Sequence, residues 1–145
     1  MTVSPRLLRA YRATTYAVPG IPIRLGSRSR AADALLRRSG AQEGILVTAW
    51  NPLSRRMPAG WNHRMQANLR QALHRDRLLP AEGRLGAWHE EHVLVLAPLR
   101  AILPVARRFR QAAVVALRPG RPTKLIVLEC HGGRHVMRLG CPDIT

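Results

Sequence analysis

Ile45-Leu46-Val47-Thr48-Ala49-Trp50-Asn51-Pro52 climbs through apolar β-formers to a polar corner, and Asn62-His63-Arg64 opens a helix after a short loop. A run that is apolar on both faces as far as Ala49 belongs at the centre of a sheet covered on both sides. Pro52 stops the strand. Asn51 to Gly60, with two prolines, two arginines and a glycine, reads as the connection to the basic helix that follows. A strand-to-helix corner of this kind is where a folded domain most often displays functional polar groups.

Working outward toward the N-terminus, Ser29 caps a helix over 30–38, with Ala32, Leu35 and Leu36 inward and Gly40 as its stop. Thr14 to Val18 and Ile21 to Leu25 flank Pro19-Gly20 and predict a β-hairpin in which Pro22 needs an edge or a bulge. Ser4-Pro5 starts a short amphipathic helix over 5–13, with Leu7, Leu8 and Tyr11 on one face.

Toward the C-terminus, a helix over 61–78 carries Met65, Leu69, Ala72 and Leu73 as its apolar stripe and His63, Arg70, His74 and Arg77 opposite. Pro80 to Gly83 reads as a turn, followed by short strands at Arg84 to Trp88 and Val93 to Leu96. Because proline is poorly tolerated inside a helix, the last helix is expected from Leu103, with Pro104 in its first turn, to Arg110. Ala112 to Leu117 and Lys124 to Glu129 are strands joined by Pro119-Gly120-Arg121-Pro122. The order α, ββ, α, β, α, ββ, α, ββ predicts an α+β fold over residues 1–145. It is a single domain with a mixed β-sheet, hairpins and about three to four helices packed on it.

A chain of 145 residues buries a real core without disulfides or metal, and an apolar share of 46% argues against disorder. Aromatics make up only 4%, so aliphatic side chains must dominate that core. Against 8 acidic residues stand 24 basic ones, a formal net charge of +16. All the basic residues except Lys124 are arginine, a ratio that GC-rich codon usage explains, but codon usage does not explain the missing acids. Such a surplus sets up a positive field that suits nucleic acid or another polyanion, or simply solubility. Cys130 and Cys141 are the only cysteines, and there is no signal peptide or long apolar run. The expectation is a reducing, cytoplasmic setting with no membrane.

Five short patterns recur in order along the chain: Tyr11-x-x-Thr14-x-Tyr16, Val47-Thr48-Ala49-Trp50-Asn51-Pro52, Asn62-x-Arg64, Trp88-x-Glu90 and Arg108-Phe109-x-Gln111-x-Ala113. Through them, and most specifically through Thr-Ala-Trp-Asn-Pro, the chain resembles a small bacterial family catalogued as domain of unknown function 3293. The resemblance covers about residues 7–128 and implies a compact, cytoplasmic bacterial domain with no known reaction; residues 130–145 form a tail outside it. The family pattern usually has a small residue and serine after Trp-x-Glu, where this chain has Glu91-His92, and Gln-Asn where it has Gln111-Ala112.

The candidate site is Asn51, Asn62, Arg64, Glu90 and Gln111, all at expected element ends. Asn51 and Asn62 each offer amide donors and an acceptor to a ligand. Arg64 can clamp a carboxylate or phosphate bidentately, helped by the helix N-terminus near Asn62. Glu90 is the acid that can serve as a general base. The structural alternatives are a turn at Asn51, an N-cap at Asn62 and an Arg64–Glu90 pair. Polyanion contact is expected from Arg55 and Arg56 in the loop and Arg70 and Arg77 on the helix, although no helix-turn-helix or aromatic RNA-binding consensus is present.

No metal or cofactor is expected. Cys130, His131, His135 and Cys141 include a His-x3-His spacing, but Cys130 and His131 are adjacent and no Cys-x2-Cys accompanies them. Gly132-Gly133 lacks the Lys-Ser/Thr of a phosphate loop, and His89-Glu90-Glu91-His92 has its histidines three apart rather than four. The expected function is a binding or accessory module whose basic surface meets anionic partners. The alternative is an enzyme acting on a small polar or phosphorylated substrate through the strand-end cluster.

Overall fold

The structure is a computed structural model and describes residues 3–131 and 134–137. Helix α1 (Pro5–Ala13) begins where the Ser4 hydroxyl accepts from the Leu7 N–H, with proline in the first turn. Strands β1 (Thr15–Val18) and β2 (Ile21–Ile23) form the first hairpin. Helix α2 (Arg30–Arg38) is capped by Ser29, whose hydroxyl accepts from the Ala32 N–H. Strand β3 (Gly44–Val47) then leads through a 3-10 turn at Pro52–Ser54 into helix α3 (Ala59–Ala72). Strands β4 (Arg77–Leu85) and β5 (Trp88–Leu96) make a long hairpin, helix α4 (Leu99–Arg108) follows, and β6 (Ala113–Leu117), β7 (Lys124–His131) and β8 (Arg134–Met137) complete the sheet.

The strands lie in the order β2-β1-β4-β5-β3-β6-β7-β8. The β3 strand therefore sits between β5 and β6, and all four of its residues are buried. Its alternation splits the core. Ile45, Val47 and Ala49 face a cluster completed by Leu69 and Leu73 of α3 and Ile102, Leu103 and Ala106 of α4. Leu46 faces the other cluster, with Tyr16, Val18, Leu94, Val115, Leu125 and the α2 residues Ala32 and Leu36, while Leu8 and Tyr11 of α1 pack at its margin. Two helices thus cover each face, the arrangement that buries a doubly apolar strand.

The fold class is the expected single-domain α+β, but every strand pair is antiparallel, so the sheet is not mixed. Helix α3 ends at Ala72, short of residue 78. Pro80 to Gly83 is extended strand rather than turn. Pro80 lies beyond Glu82, the last β4 residue with a β1 partner, so β4 has an open flank there, which a strand proline requires. The reversal falls instead at Gly86, in the left-handed region at φ 59°. Helix α4 starts at Leu99, and Pro104 sits inside it. Its missing N–H leaves one helical bond unmade, an amount of stability that burial of Ile102, Leu103 and Ala106 outweighs. Pro22 lies on the edge strand β2. Among the described residues no helix is long and apolar enough to cross a membrane.

Candidate functional site

The polar corner after β3 is held in an unusual backbone conformation. Asn51, Leu53 and Ser54 have φ of 48°, 51° and 61°, a region that disfavours residues with a side chain. Two buried amides hold it there. The Asn51 N–H donates to Asn62 Oδ1 at 3.0 Å, and Asn62 Nδ2 donates to Asn51 Oδ1 at 3.1 Å and to the Met57 carbonyl at 3.2 Å. Asn51 Oδ1 also accepts from the Met57 N–H at 2.9 Å. From the far side the Leu53 N–H donates to the carbonyl of Arg110, itself at φ 54°. Clusters of such residues persist only where the surroundings over-determine them, and they concentrate at sites.

A second set of bonds joins the corner to its neighbours. Gln66, 1% exposed, accepts the Ala49 N–H on its Oε1 at 2.9 Å. The Thr48 hydroxyl accepts from the Trp50 N–H and donates to the Glu91 carbonyl. Gln111 Nε2 donates to the carbonyls of Trp50 and Phe109. Finally, Asn51 Nδ2 donates to Glu90 Oε1 at 2.8 Å. Strand β3, helix α3, strand β5 and the segment before β6 are thereby tied together at one end of the sheet.

Between this end of the sheet and α1 lies a cavity of about 60 Å³. Tyr11 on α1 and Tyr16 on β1 line it, as do Trp50, Trp88 and Gln111; Leu46 and Leu125 are among its apolar walls. Glu90 and His92 also reach it, two residues apart on β5 and so on one face of the strand. Trp88 is 43% exposed. Gly83, on β4 between Tyr16 and His92, leaves space for both rings. A Cβ there would stand 3.2 Å from His92 Cε1 and 3.4 Å from the Tyr16 ring. The two rings meet edge to face at 5.6 Å.

Burial governs the titration of these groups. Removal from water pushes Glu90 up to about 7, against the pull of the Asn51 amide toward the ionised form. Burial pushes His92 down to about 4, so its ring is neutral. Because His92 Nδ1 lies 3.2 Å from the Glu90 carbonyl, which can only accept, the proton is on Nδ1 and Nε2 is an acceptor. Tyr11 and Tyr16 are both raised, first by burial and further by the charge of Glu90.

Of the five residues nominated from the sequence, Asn51, Glu90 and Gln111 line the cavity, and Asn62 supports Asn51 from behind. Arg64 does not join them: it is exposed on α3 and does not line the cavity, and Glu90 pairs with Asn51 instead. Arg55 and Arg56 are exposed in the loop after Ser54, and Arg70 is half-buried on α3. Arg77, at the start of β4, donates to the Ser39 carbonyl. The side chains of Cys130, His131 and His135, and all of Cys141, lie outside the described residues. Among those described, no cluster of three His, Cys, Asp or Glu is placed to hold a metal ion.

Sequence reasoning did not nominate Tyr11, Tyr16, Thr48, Gln66 or His92. A signal for Gln66 was present, because Asn62, Gln66, Leu69 and Leu73 share one helical face, so two amides must be buried with the leucines. His92 follows Glu90 by one strand period, and Thr48 follows Leu46 likewise. Tyr11 and Tyr16 meet the cavity only through tertiary packing.

An antiparallel α+β domain with a polar-ended cavity between a roof helix and the sheet defines the class. Residues 47–114 match the family described as "Protein of unknown function (DUF3293)". The match spans Thr48, Asn51, Asn62, Gln66, Glu90, His92 and Gln111, while the roof helix precedes it. No curated protein and no solved structure matches the chain.

Proposed function

We propose that this protein is a binding module and that the cavity beneath α1 takes a small polar ligand carrying no negative charge. One observation supports this reading above others: Asn51, Glu90 and Gln111 converge on an aromatic-walled cavity whose lining, among the described residues, contains a carboxyl group but no arginine or lysine. In a chain of net charge +16 that exclusion is pronounced, and convergent polar groups in a mostly apolar concavity are the usual make-up of a ligand site. A phosphorylated ligand fits such a lining poorly, because Glu90 would repel it and Arg64 is elsewhere. Screening small amides, alcohols and amines by thermal shift and tryptophan fluorescence tests the reading. Ala10→Phe, which fills the cavity from the roof, should abolish any binding found while the fold is retained. Binding that persists in this variant, or a screen without any shift, would overturn it.

A second reading concerns the exterior. Among the described residues only Arg28, Arg84 and Arg118 have a carboxylate within ion-pair distance, leaving most arginines without one. This favours docking on nucleic acid or another polyanion, with Arg55 and Arg56 beside the corner as contacts. Affinity for generic single- and double-stranded nucleic acid should fall steeply with salt, and replacing both arginines with alanine should weaken binding to any sequence and shallow that slope. Absence of binding at low salt removes this reading without touching the first.

A further inference from the structure

We propose that the ligand of the cavity is a small organic cation of the amidinium, guanidinium or alkylammonium type. This deepens the cavity reading and rests on it. The lining leaves a carboxylate oxygen open. Several of its donors are already used: one N–H of Asn51 Nδ2 on Glu90 Oε1, Gln111 Nε2 on two backbone carbonyls, and His92 Nδ1–H on the Glu90 carbonyl. The acceptors are not. Glu90 Oε2, Gln111 Oε1 and His92 Nε2 receive no hydrogen bond from any described residue, yet none of them is a sealed, unsatisfied atom. Trp50 Nε1–H is a buried donor of the lining without a partner among the described residues. The Tyr11, Tyr16 and Ser54 hydroxyls of the lining can donate or accept, but an open carboxylate oxygen with two further acceptors beside it favours a ligand that brings N–H groups.

The remaining lining agrees with a positive charge. Tyr11, Tyr16, Trp50 and Trp88 contribute four aromatic rings, whose faces attract cations. The groups that can charge and face Glu90 are Tyr11 from α1, Tyr16 from β1 and His92 from β5. The tyrosines are raised and His92 is lowered, so all three are neutral near pH 7. The carboxylate therefore has no cationic partner among the described residues. The arginines outside the cavity act across solvent, where their field decays over a Debye length of about 8 Å at physiological salt. A cation entering the site supplies the missing charge and favours the ionised form of Glu90.

The test compares acetamidinium with acetamide, which share shape and differ in charge, on the wild-type chain by calorimetric titration at pH 6 and pH 8. Acetamidinium remains charged at both. It should bind at pH 8 at least tenfold more tightly than acetamide, and its affinity should fall about tenfold at pH 6, where a carboxyl titrating near 7 is mostly protonated. Glu90→Gln, which keeps an acceptor for the Asn51 amide, should erase both the preference for charge and the pH dependence. Acetamide binding as tightly as acetamidinium, or a flat pH profile in the wild type, overturns this inference and leaves the cavity reading standing. If no probe binds in the cavity, this inference and the cavity reading both fall.

Discussion

Replacing Glu90 by glutamine should uncover a hidden pH dependence of stability. Glu90 is raised from 4.5 to about 7 by burial, and His92 is lowered from 6.5 to about 4. At about 1.36 kcal/mol per decade of affinity, each shift corresponds to up to roughly 3 kcal/mol. Their signs are opposite. Between pH 4.5 and 7 the native state holds a proton on Glu90 that the unfolded chain has lost, so stability falls as pH rises. Between pH 4 and 6.5 the unfolded chain holds a proton on His92 that the native state refuses, so stability rises with pH. From pH 4.5 to 6.5 the two slopes cancel, and these groups leave the wild type flat. Glu90→Gln removes the first slope only, and its amide oxygen still accepts from Asn51. Urea unfolding followed by tryptophan fluorescence should show variant and wild type nearly equal at pH 4. The variant should gain stability through pH 6.5 and end up to roughly 3 kcal/mol ahead at pH 8. A difference that does not change between pH 4 and 8, or a variant weaker at pH 8, would refute the assignment of Glu90 as a buried, destabilised carboxylate.

Asn62→Ala should cost about 3 kcal/mol in denaturant unfolding, because it strands the buried Asn51 N–H and the Met57 carbonyl; a loss within about 0.5 kcal/mol would show that the corner is held some other way. Arg64→Ala, on the exposed face of α3, should change stability by no more than about 0.5 kcal/mol and leave cavity binding intact. Loss of binding in that variant, with the fold retained, would return Arg64 to the site.

The parts of the fold that sequence reading captures are those set by local chemistry. Ser4-Pro5 and Ser29 mark helix starts with hydroxyls that the structure shows bonded to the third residue on. The doubly apolar run from Ile45 shows its central place directly. What escapes local reading is decided by distant partners. Leu73 to Arg77 suits a helix as well as a turn, and Pro80 suits a turn as well as a strand. Only pairing with β5, and the end of the β1 ladder at Glu82, selects a nine-residue strand there. The site divides the same way. Asn51, Glu90 and Gln111 stand at the ends of apolar runs, a position visible in one dimension. Arg64 and Gln66 lie in the same helix, and only the helix's rotation against the sheet decides that Gln66 turns inward and Arg64 outward. The roof contributed by Tyr11 has no local signature, because α1 meets the sheet across several intervening elements.

The position of β3 also bears on how the chain is made. Val47 pairs with Val93 and Leu46 with Val115, so neither flank of the central strand is covered until most of the chain has been synthesised. At typical elongation rates both edges of this run of β-branched and leucine residues stay open for roughly 2–9 s, until β5 is made, and one edge for roughly 4–14 s, until β6 is made. A nascent chain or fragment that stops short of β6 turns the middle of the finished sheet into an unprotected edge, the condition that favours intermolecular strand pairing. Truncations from the C-terminal side should therefore shift the product from folded protein to aggregate at Leu117, where β3 gains its second neighbour.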